Sequence, residues 1–192
     1  MEETGQKRKY YEIKIAGVKR QLPLCPLNDS LMIGAFVIFG DPELTTKAAR
    51  ALLKKAPEYD YIIAPEAKAI PLIHEMARLD GNRKYLLARK NPKLYMTGVI
   101  ESNYRSITTA KEQSLYLDAE DAKLMKDKRI ILLDDVISTG ESLKSLEALV
   151  NKAGGRIVAR MAILAEGEAA DRGDIIYLEK LPLFDRDGNP LD

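Results

Sequence analysis

The chain has 192 residues, a formal net charge of +1 at pH 7 and a hydrophobic fraction of 46%. This composition predicts one domain with a core of its own and excludes a disordered chain. The near-neutral charge gives no general attraction to nucleic acid or anionic lipid, so neither partner is expected. One cysteine excludes an internal disulfide, no apolar run approaches the ~20 residues of a membrane span, and no signal peptide is recognisable. We therefore expect a cytoplasmic protein.

The first part of the chain predicts a strand hairpin followed by a helix. Residues 10–25 alternate apolar and polar positions around Gly17, which is typical of a hairpin. Asp41 and Pro42 then predict a helix start, with Asp41 as the N-cap and Pro42 at the first helical position.

From about residue 42 to 165, strand and helix patterns alternate along the chain. This alternation predicts an α/β fold with a doubly wound, mostly parallel sheet. We expect a single domain, 1–192, with its core at 41–179 and a small hood from 1–40 and 180–192. The predicted strands of the core lie at 61–64, 85–88, 130–133, 157–164 and 175–178.

The segment 130–142 is the most informative about function. Its four leading apolar residues fit a strand buried on both faces, and Asp134 and Asp135 follow where open α/β sheets place their ligands. The loop after them aims backbone N–H groups and hydroxyls at one point, which lies at the positive end of a helix dipole and suits a phosphate. Carboxylates beside a phosphate cradle suit a ribose 5-phosphate. The loop residues are Ser138, Thr139, Gly140, Glu141 and Ser142.

This segment closely resembles the motif with which type I phosphoribosyltransferases bind phosphoribosyl pyrophosphate (PRPP). Residues 64–71 are similar to the pyrophosphate loop of the adenine enzymes in this family, although Lys68 stands where that loop more often has arginine and Ala69 where it has glycine. The run Arg89, Lys90, Lys93 and Leu94 matches the R-K-x-x-K-L pattern of the same enzymes.

The resemblance implies a role for each matching residue. Asp134 and Asp135 would be catalytic, facing solvent or ligand and holding the ribose hydroxyls and the water shell of Mg²⁺. Mg²⁺ is the expected cofactor, held mainly by the substrate, and no metal site of protein ligands is expected. The loop 138–142 would hold the 5-phosphate. Lys111 would be the third catalytic residue and would approach the pyrophosphate from a mobile loop. The other expected contacts are Glu66, Ala67, Lys68, Arg89, Lys90 and Lys93 for pyrophosphate and Asn28 and Val136 for the base.

The expected reaction is displacement of pyrophosphate by a purine, most simply adenine. Hypoxanthine–guanine enzymes usually have an aspartate at the position of Ser138, and 6-oxopurine enzymes place a lysine where this chain has Gly167. A lysine there would oppose the 6-amino group of adenine with a second donor. Asn28 resembles a base-contacting residue of xanthine enzymes, so xanthine or another nucleobase stays an alternative, as does a non-catalytic PRPP-sensing regulator. The family also implies a homodimer.

Overall fold

The computed structural model describes residues 8–102 and 114–191. None of the helices in these two ranges is both long and apolar enough to cross a membrane. In chain order the elements are β1 (Tyr10–Ile15), β2 (Val18–Pro26), β3 (Met32–Gly34), α1 (Pro42–Leu53), β4 (Tyr61–Pro65), α2 (Ile70–Leu79), β5 (Leu86–Ala88), β6 (Ile100–Glu101), β7 (Tyr116–Leu117), α3 (Ala119–Met125), β8 (Arg129–Ile137), α4 (Glu141–Lys152), β9 (Arg156–Glu166), a 3₁₀ helix (Gly167–Asp171), β10 (Ile176–Leu181), β11 (Leu183–Phe184) and β12 (Pro190–Leu191).

The central sheet is parallel, and β8 is its middle strand, in the order β10-β9-β8-β4-β5. Ile131 and Leu133 pack into a core shared with α1 and α2, whereas Ile130 and Leu132 pack into a second core shared with α3 and α4. The strand is therefore buried on both faces, because successive side chains of a strand point to opposite sides. The predicted α/β class with a doubly wound parallel sheet is confirmed.

The predicted start of α1 is confirmed, and its N-cap also joins two parts of the fold. The carboxylate of Asp41 accepts a hydrogen bond from the Leu44 N–H at 3.1 Å, and Pro42 opens the helix. The same carboxylate accepts two hydrogen bonds from Arg20 on β2, at 2.6 and 2.9 Å. The Arg20 guanidinium lowers the pKa of Asp41, so this link between β2 and α1 stays charged at neutral pH.

A second sheet is antiparallel and combines both ends of the chain, in the order β1-β2-β3-β11-β12. The predicted hairpin around Gly17 forms its β1–β2 arm. Phe184 of β11 pairs with Met32 of β3, is fully buried, and packs edge-on against Tyr11 with 4.9 Å between ring centroids. Because β11 follows β10 after one residue, this sheet is attached at the C-terminal edge of the central sheet.

Candidate functional site

Two adjoining pockets lie at the C-terminal ends of β4 and β8. The larger, of about 420 Å³, brings the loop after β4 against the end of β8. The smaller, of about 170 Å³, is formed by the loop between β8 and α4 and shares Asp134, Val136 and Ser142 with the larger one. Parallel strands end at one edge of the sheet, which is why segments distant in sequence meet here. The larger pocket is lined by Pro65, Glu66, Ala67, Lys68, Lys90, Ser114, Leu115, Asp134, Asp135, Val136, Ser142 and Ser145.

The two adjacent carboxylates are more buried than the sequence predicted. The Asp135 side chain is only 2% exposed and Asp134 is half-buried, so neither carboxylate is open to solvent, although both line the larger pocket. The reason is that β8 continues through Ile137 and stays paired with β9, which keeps both residues inside the sheet. Asp135 Oδ2 lies 3.2 Å from Lys68 Nζ, yet it accepts no hydrogen bond from the described residues.

The surroundings of Asp134 favour the protonated form of its carboxyl. Burial, and next the charge of Asp135, raise the pKa of Asp134 to about 8, while Lys68 acts in the opposite direction. Its Oδ1 accepts a hydrogen bond from the Asp135 N–H at 2.9 Å, and its Oδ2 lies 3.5 Å from the Ser142 hydroxyl. A ligand that offers hydroxyls or a cation to this pair would favour loss of the proton.

Replacing Asp134 by neutral asparagine should increase the free energy of unfolding, by an amount that depends on pH. The pKa of Asp134 is 3.8 when unperturbed and about 8 in the fold, so the native state loses stability relative to the unfolded chain as pH rises through this interval. Asp134→Asn should therefore leave stability unchanged near pH 4 and increase it by about 1–3 kcal/mol at pH 9. Urea unfolding at pH 5, 7 and 9 measures this gain.

Asp60→Asn is the matched control at the opposite edge of the sheet. The Arg129 guanidinium lowers the pKa of Asp60 to about 2. The charged form of Asp60 therefore stabilises the fold at every pH above 3.8, the pKa of this group in the unfolded chain. Asp60→Asn should lose stability by a similar amount from pH 5 to pH 9. A gain for Asp134→Asn that is equal at pH 5 and pH 9 would contradict the raised pKa.

The predicted basic residues come together, but their charge is partly offset by Glu66. Lys68 and Lys90 line the larger pocket. Glu66 Oε2 lies 3.3 Å from Arg89 Nε and 3.9 Å from Lys93 Nζ, and it accepts a hydrogen bond from the Lys90 N–H at 3.2 Å. Arg89 Nε is buried without a hydrogen-bond partner in the described part of the chain. An anion entering this end of the pocket would compete with Glu66 for these cations.

The loop 138–142 has the form of an anion site at a helix end. Gly140 is the N-cap of α4 and has φ +77°, a left-handed conformation that side chains disfavour. Ser138 and Thr139 are exposed, and Ser142 lies in the first turn of α4. The N–H groups of a first helical turn have no partner within the helix, so they can donate to an anion placed here.

Three of the predicted residues that the structure describes line neither pocket: Arg89 and Lys93, which contact the pocket residue Glu66, and Asn28. Asn28 is exposed after β2, and its Oδ1 accepts hydrogen bonds from the Ser30 N–H, the Ser30 hydroxyl and the Leu31 N–H at 2.9, 3.0 and 2.9 Å. Its amide thus shapes a turn, and its contact with a base stays a prediction. Lys111 lies outside the described residues.

Several pocket residues were missed from the sequence, among them Ser145, Ser114 and Leu115. Ser145 follows Ser142 by three positions on α4, so the two share a helix face, and this spacing could have revealed it. Ser114 and Leu115 reach the pocket through a pairing with Ser102, in which the Leu115 N–H donates to the Ser102 hydroxyl and the Ser102 N–H donates to the Leu115 carbonyl, each at 2.8 Å. No local pattern predicts that pairing.

The donor set suits a cation that is held mostly by a ligand. Among residues 8–102 and 114–191, no three His, Cys, Asp or Glu side chains are grouped to hold a metal. Asp134 and Asp135 offer carboxylate oxygens, of which Asp135 Oδ2 is buried and lacks a hydrogen bond from the described residues. Two carboxylates without a third protein ligand fit Mg²⁺, which keeps several waters and binds substrate phosphates.

Comparisons with known proteins agree with this geometry. Residues 41–180 match the model of the phosphoribosyl transferase domain. The adenine phosphoribosyltransferase of Thermosipho africanus is 29% identical over 164 residues, which cover 84% of this chain and 92% of that protein. The crystal structure of adenine phosphoribosyltransferase from Thermoanaerobacter pseudethanolicus has a TM-score of 0.62 at 21% identity, covering 89% of this chain and 95% of that one. The enzyme of Trypanosoma brucei in complex with AMP, pyrophosphate and ribose-5-phosphate has a TM-score of 0.61 at 19% identity, covering 74% and 67%. The chain belongs to the phosphoribosyl transferase family, as the resemblance predicted.

Proposed function

We propose that this protein transfers the phosphoribosyl group of PRPP to adenine, giving AMP and pyrophosphate, in purine salvage. The observation that carries the proposal is the junction of the two pockets, where Asp134, Val136 and Ser142 line both. A ribose over Asp134 would reach the hydroxyl-rich loop with its 5-phosphate on one side. On the other side its pyrophosphate would reach Lys68 and Lys90. The names of the similar proteins support adenine as the base.

The reaction breaks the bond between the anomeric carbon and pyrophosphate and forms a bond from that carbon to a purine nitrogen. Its barrier falls when positive charge on the sugar and negative charge on the leaving group are stabilised at fixed positions. Asp134 and Asp135 would accept hydrogen bonds from the ribose hydroxyls and stabilise the positive sugar. Mg²⁺ bound with PRPP would neutralise part of the pyrophosphate charge. Lys68, moving from Asp135 toward the leaving group, would neutralise another part.

The remaining roles complete the proposal. The leaving pyrophosphate would be bound by Arg89, Lys90 and Lys93 after the Glu66 side chain moves away from them. Lys111 would add a further positive charge there. The loop 138–142 would bind the 5-phosphate, while Val136 and Asn28 would contact the base. The division into a core and a hood, the homodimer and the cytoplasmic location belong to the same proposal.

The test measures binding and transfer on the same purified protein. PRPP with Mg²⁺ at a hundredfold excess over Kd should raise the free energy of unfolding by about 2.7 kcal/mol, because only the native state binds it. Adding adenine should then release pyrophosphate and AMP in equal amounts. Chromatography measures the amounts of both products. An unchanged melting temperature with millimolar PRPP would contradict the assignment of these pockets as the PRPP site. Stabilisation without transfer to any base would make the protein a PRPP-sensing regulator.

A further inference from the structure

The proposed 5-phosphate loop contains no positive side chain of its own. Residues 138–142 offer hydroxyls and N–H groups, and their only charged residue is Glu141. A phosphate monoester carries between one and two negative charges at neutral pH, and the loop supplies no positive side chain to offset them. A cation from elsewhere in the fold would remove this disadvantage.

One guanidinium group lies directly against the loop. The Nη1 atom of Arg172, which follows the 3₁₀ helix, is 2.9 Å from the position that a Cβ atom on Gly140 would take. Since Gly140 has no side chain, the guanidinium can approach the backbone of the residue that begins α4. At this distance its charge acts on any anion bound by the first N–H groups of the helix.

Neighbouring charges hold Arg172 in this position. Asp174 accepts hydrogen bonds from Arg172 Nε at 3.0 Å and from Nη2 at 2.9 Å. Asp174 also lies 3.6 Å from Arg160 Nε, which donates to Glu147 of α4 at 2.5 Å. The hydrogen bond to Asp174 raises the pKa of Arg172, so the group is always charged. Its Nη1 donates no hydrogen bond to any side chain or carbonyl in the described ranges.

We propose that Arg172 is a phosphate-binding residue, which supplies to the 5-phosphate of PRPP and AMP the positive charge that the loop 138–142 lacks. Asp174 uses two of the three guanidinium nitrogens and leaves Nη1 for the ligand. The inference rests on the proposed function, because it names the residue that completes the phosphate end of the same site. It assigns a recognition role to a residue outside the three segments that resemble the family.

The test compares ligands that differ only in the phosphate. Arg172→Met should weaken AMP binding about tenfold or more, since a hydrogen bond to a charged group contributes about 1.5–3 kcal/mol. Binding of adenosine should be unchanged, because adenosine lacks the phosphate. Arg172→Lys, which keeps the charge, should recover most of the affinity for AMP. Titration calorimetry with both ligands, and with inorganic phosphate as a third probe, measures these values.

Arg160→Met is the matched control, because Arg160 is another positive charge that pairs with Asp174, while the guanidinium found against Gly140 is that of Arg172. It should leave AMP binding within about twofold of the unaltered protein. An equal loss for AMP and adenosine, or an equal loss in both methionine variants, would overturn the proposal in favour of a structural role. If the unaltered protein binds neither PRPP nor AMP, the proposed function fails. In that case the titration with inorganic phosphate tests the role of Arg172 separately. Equal affinities for inorganic phosphate in Arg172→Met and in the unaltered protein would overturn the inference.

Discussion

Replacing Asp134 and Asp135 together by asparagine should lower the rate of phosphoribosyl transfer by about a thousandfold while the protein stays folded. Asparagine matches aspartate in shape but carries no charge, so the positive sugar loses both groups that would stabilise it. The fold should tolerate the change, because burial and the charge of Asp135 favour the uncharged form of Asp134 and its Oδ1 acceptor survives in the amide. Steady-state kcat/KM and urea unfolding of the same preparation measure the two effects.

Asp60→Asn serves here as the control for a lost carboxylate far from the site, and its kcat should stay within about twofold although its stability falls. A double variant that keeps more than a tenth of its activity would refute the ribose role of the pair. If the double variant unfolds, Asp134→Asn alone decides, because its raised pKa predicts a more stable protein, and full activity in that variant would refute the role as well.

Adenine should exceed hypoxanthine and guanine in kcat/KM by about a hundredfold or more, since one mispaired buried polar group costs about 1–3 kcal/mol and two can compound. The structure adds a reason to those from the sequence. Gly167, at the position where 6-oxopurine enzymes have lysine, has φ +56°, which a lysine would adopt only with strain. Glu166 beside it is half-buried, and burial raises the pKa of its carboxyl, so an acidic side chain and not a lysine adjoins Gly167 at the end of β9.

A panel of bases at fixed PRPP and Mg²⁺ measures this selectivity. Comparable rates with adenine and hypoxanthine would refute the choice of adenine and leave the general transfer of phosphoribosyl groups. Transfer to xanthine alone would show that Asn28 contacts the base, despite the turn that its amide oxygen holds together. Asn28→Ala separates these outcomes, because a residue that only shapes the turn should lower stability and leave the ratio between bases unchanged.

The parts of the fold that were predictable are those that neighbouring residues determine. Asp41 and Pro42 predict a helix start, because the capping hydrogen bond and the fixed φ of proline both act within the first turn of the helix. The apolar run before Asp134 announces a strand buried on both faces, and the edge rule for parallel sheets then brings Lys68 to the same place. The burial of Asp135 was not predictable in this way, since it depends on how far β9 continues beside β8.

The features that escaped prediction depend on contacts between distant segments. Glu66 and Arg89 follow the ends of the neighbouring strands β4 and β5, and no short pattern specifies that the Glu66 carboxylate turns toward Arg89 and Lys93. Arg172 comes against Gly140 because the segment after β9 crosses the start of α4. In the sequence Arg172 stands in an ordinary polar stretch, without any spacing that links it to the loop.

The antiparallel sheet, which joins β1 to β3 with β11 and β12, also affects the order in which parts of the fold form during synthesis. Lys9 Nζ donates to the carbonyl of Asp187 at 2.5 Å, across 178 residues of sequence, and β3 pairs with β11 over a comparable span. Contacts of such separation form late, because closing a long loop is entropically unfavourable until the intervening chain is compact. During translation β1, β2 and β3 can pair with one another early, because they are neighbours in sequence. The join between β3 and β11 must wait until β11 has been synthesised, so the antiparallel sheet is completed after most of the parallel core.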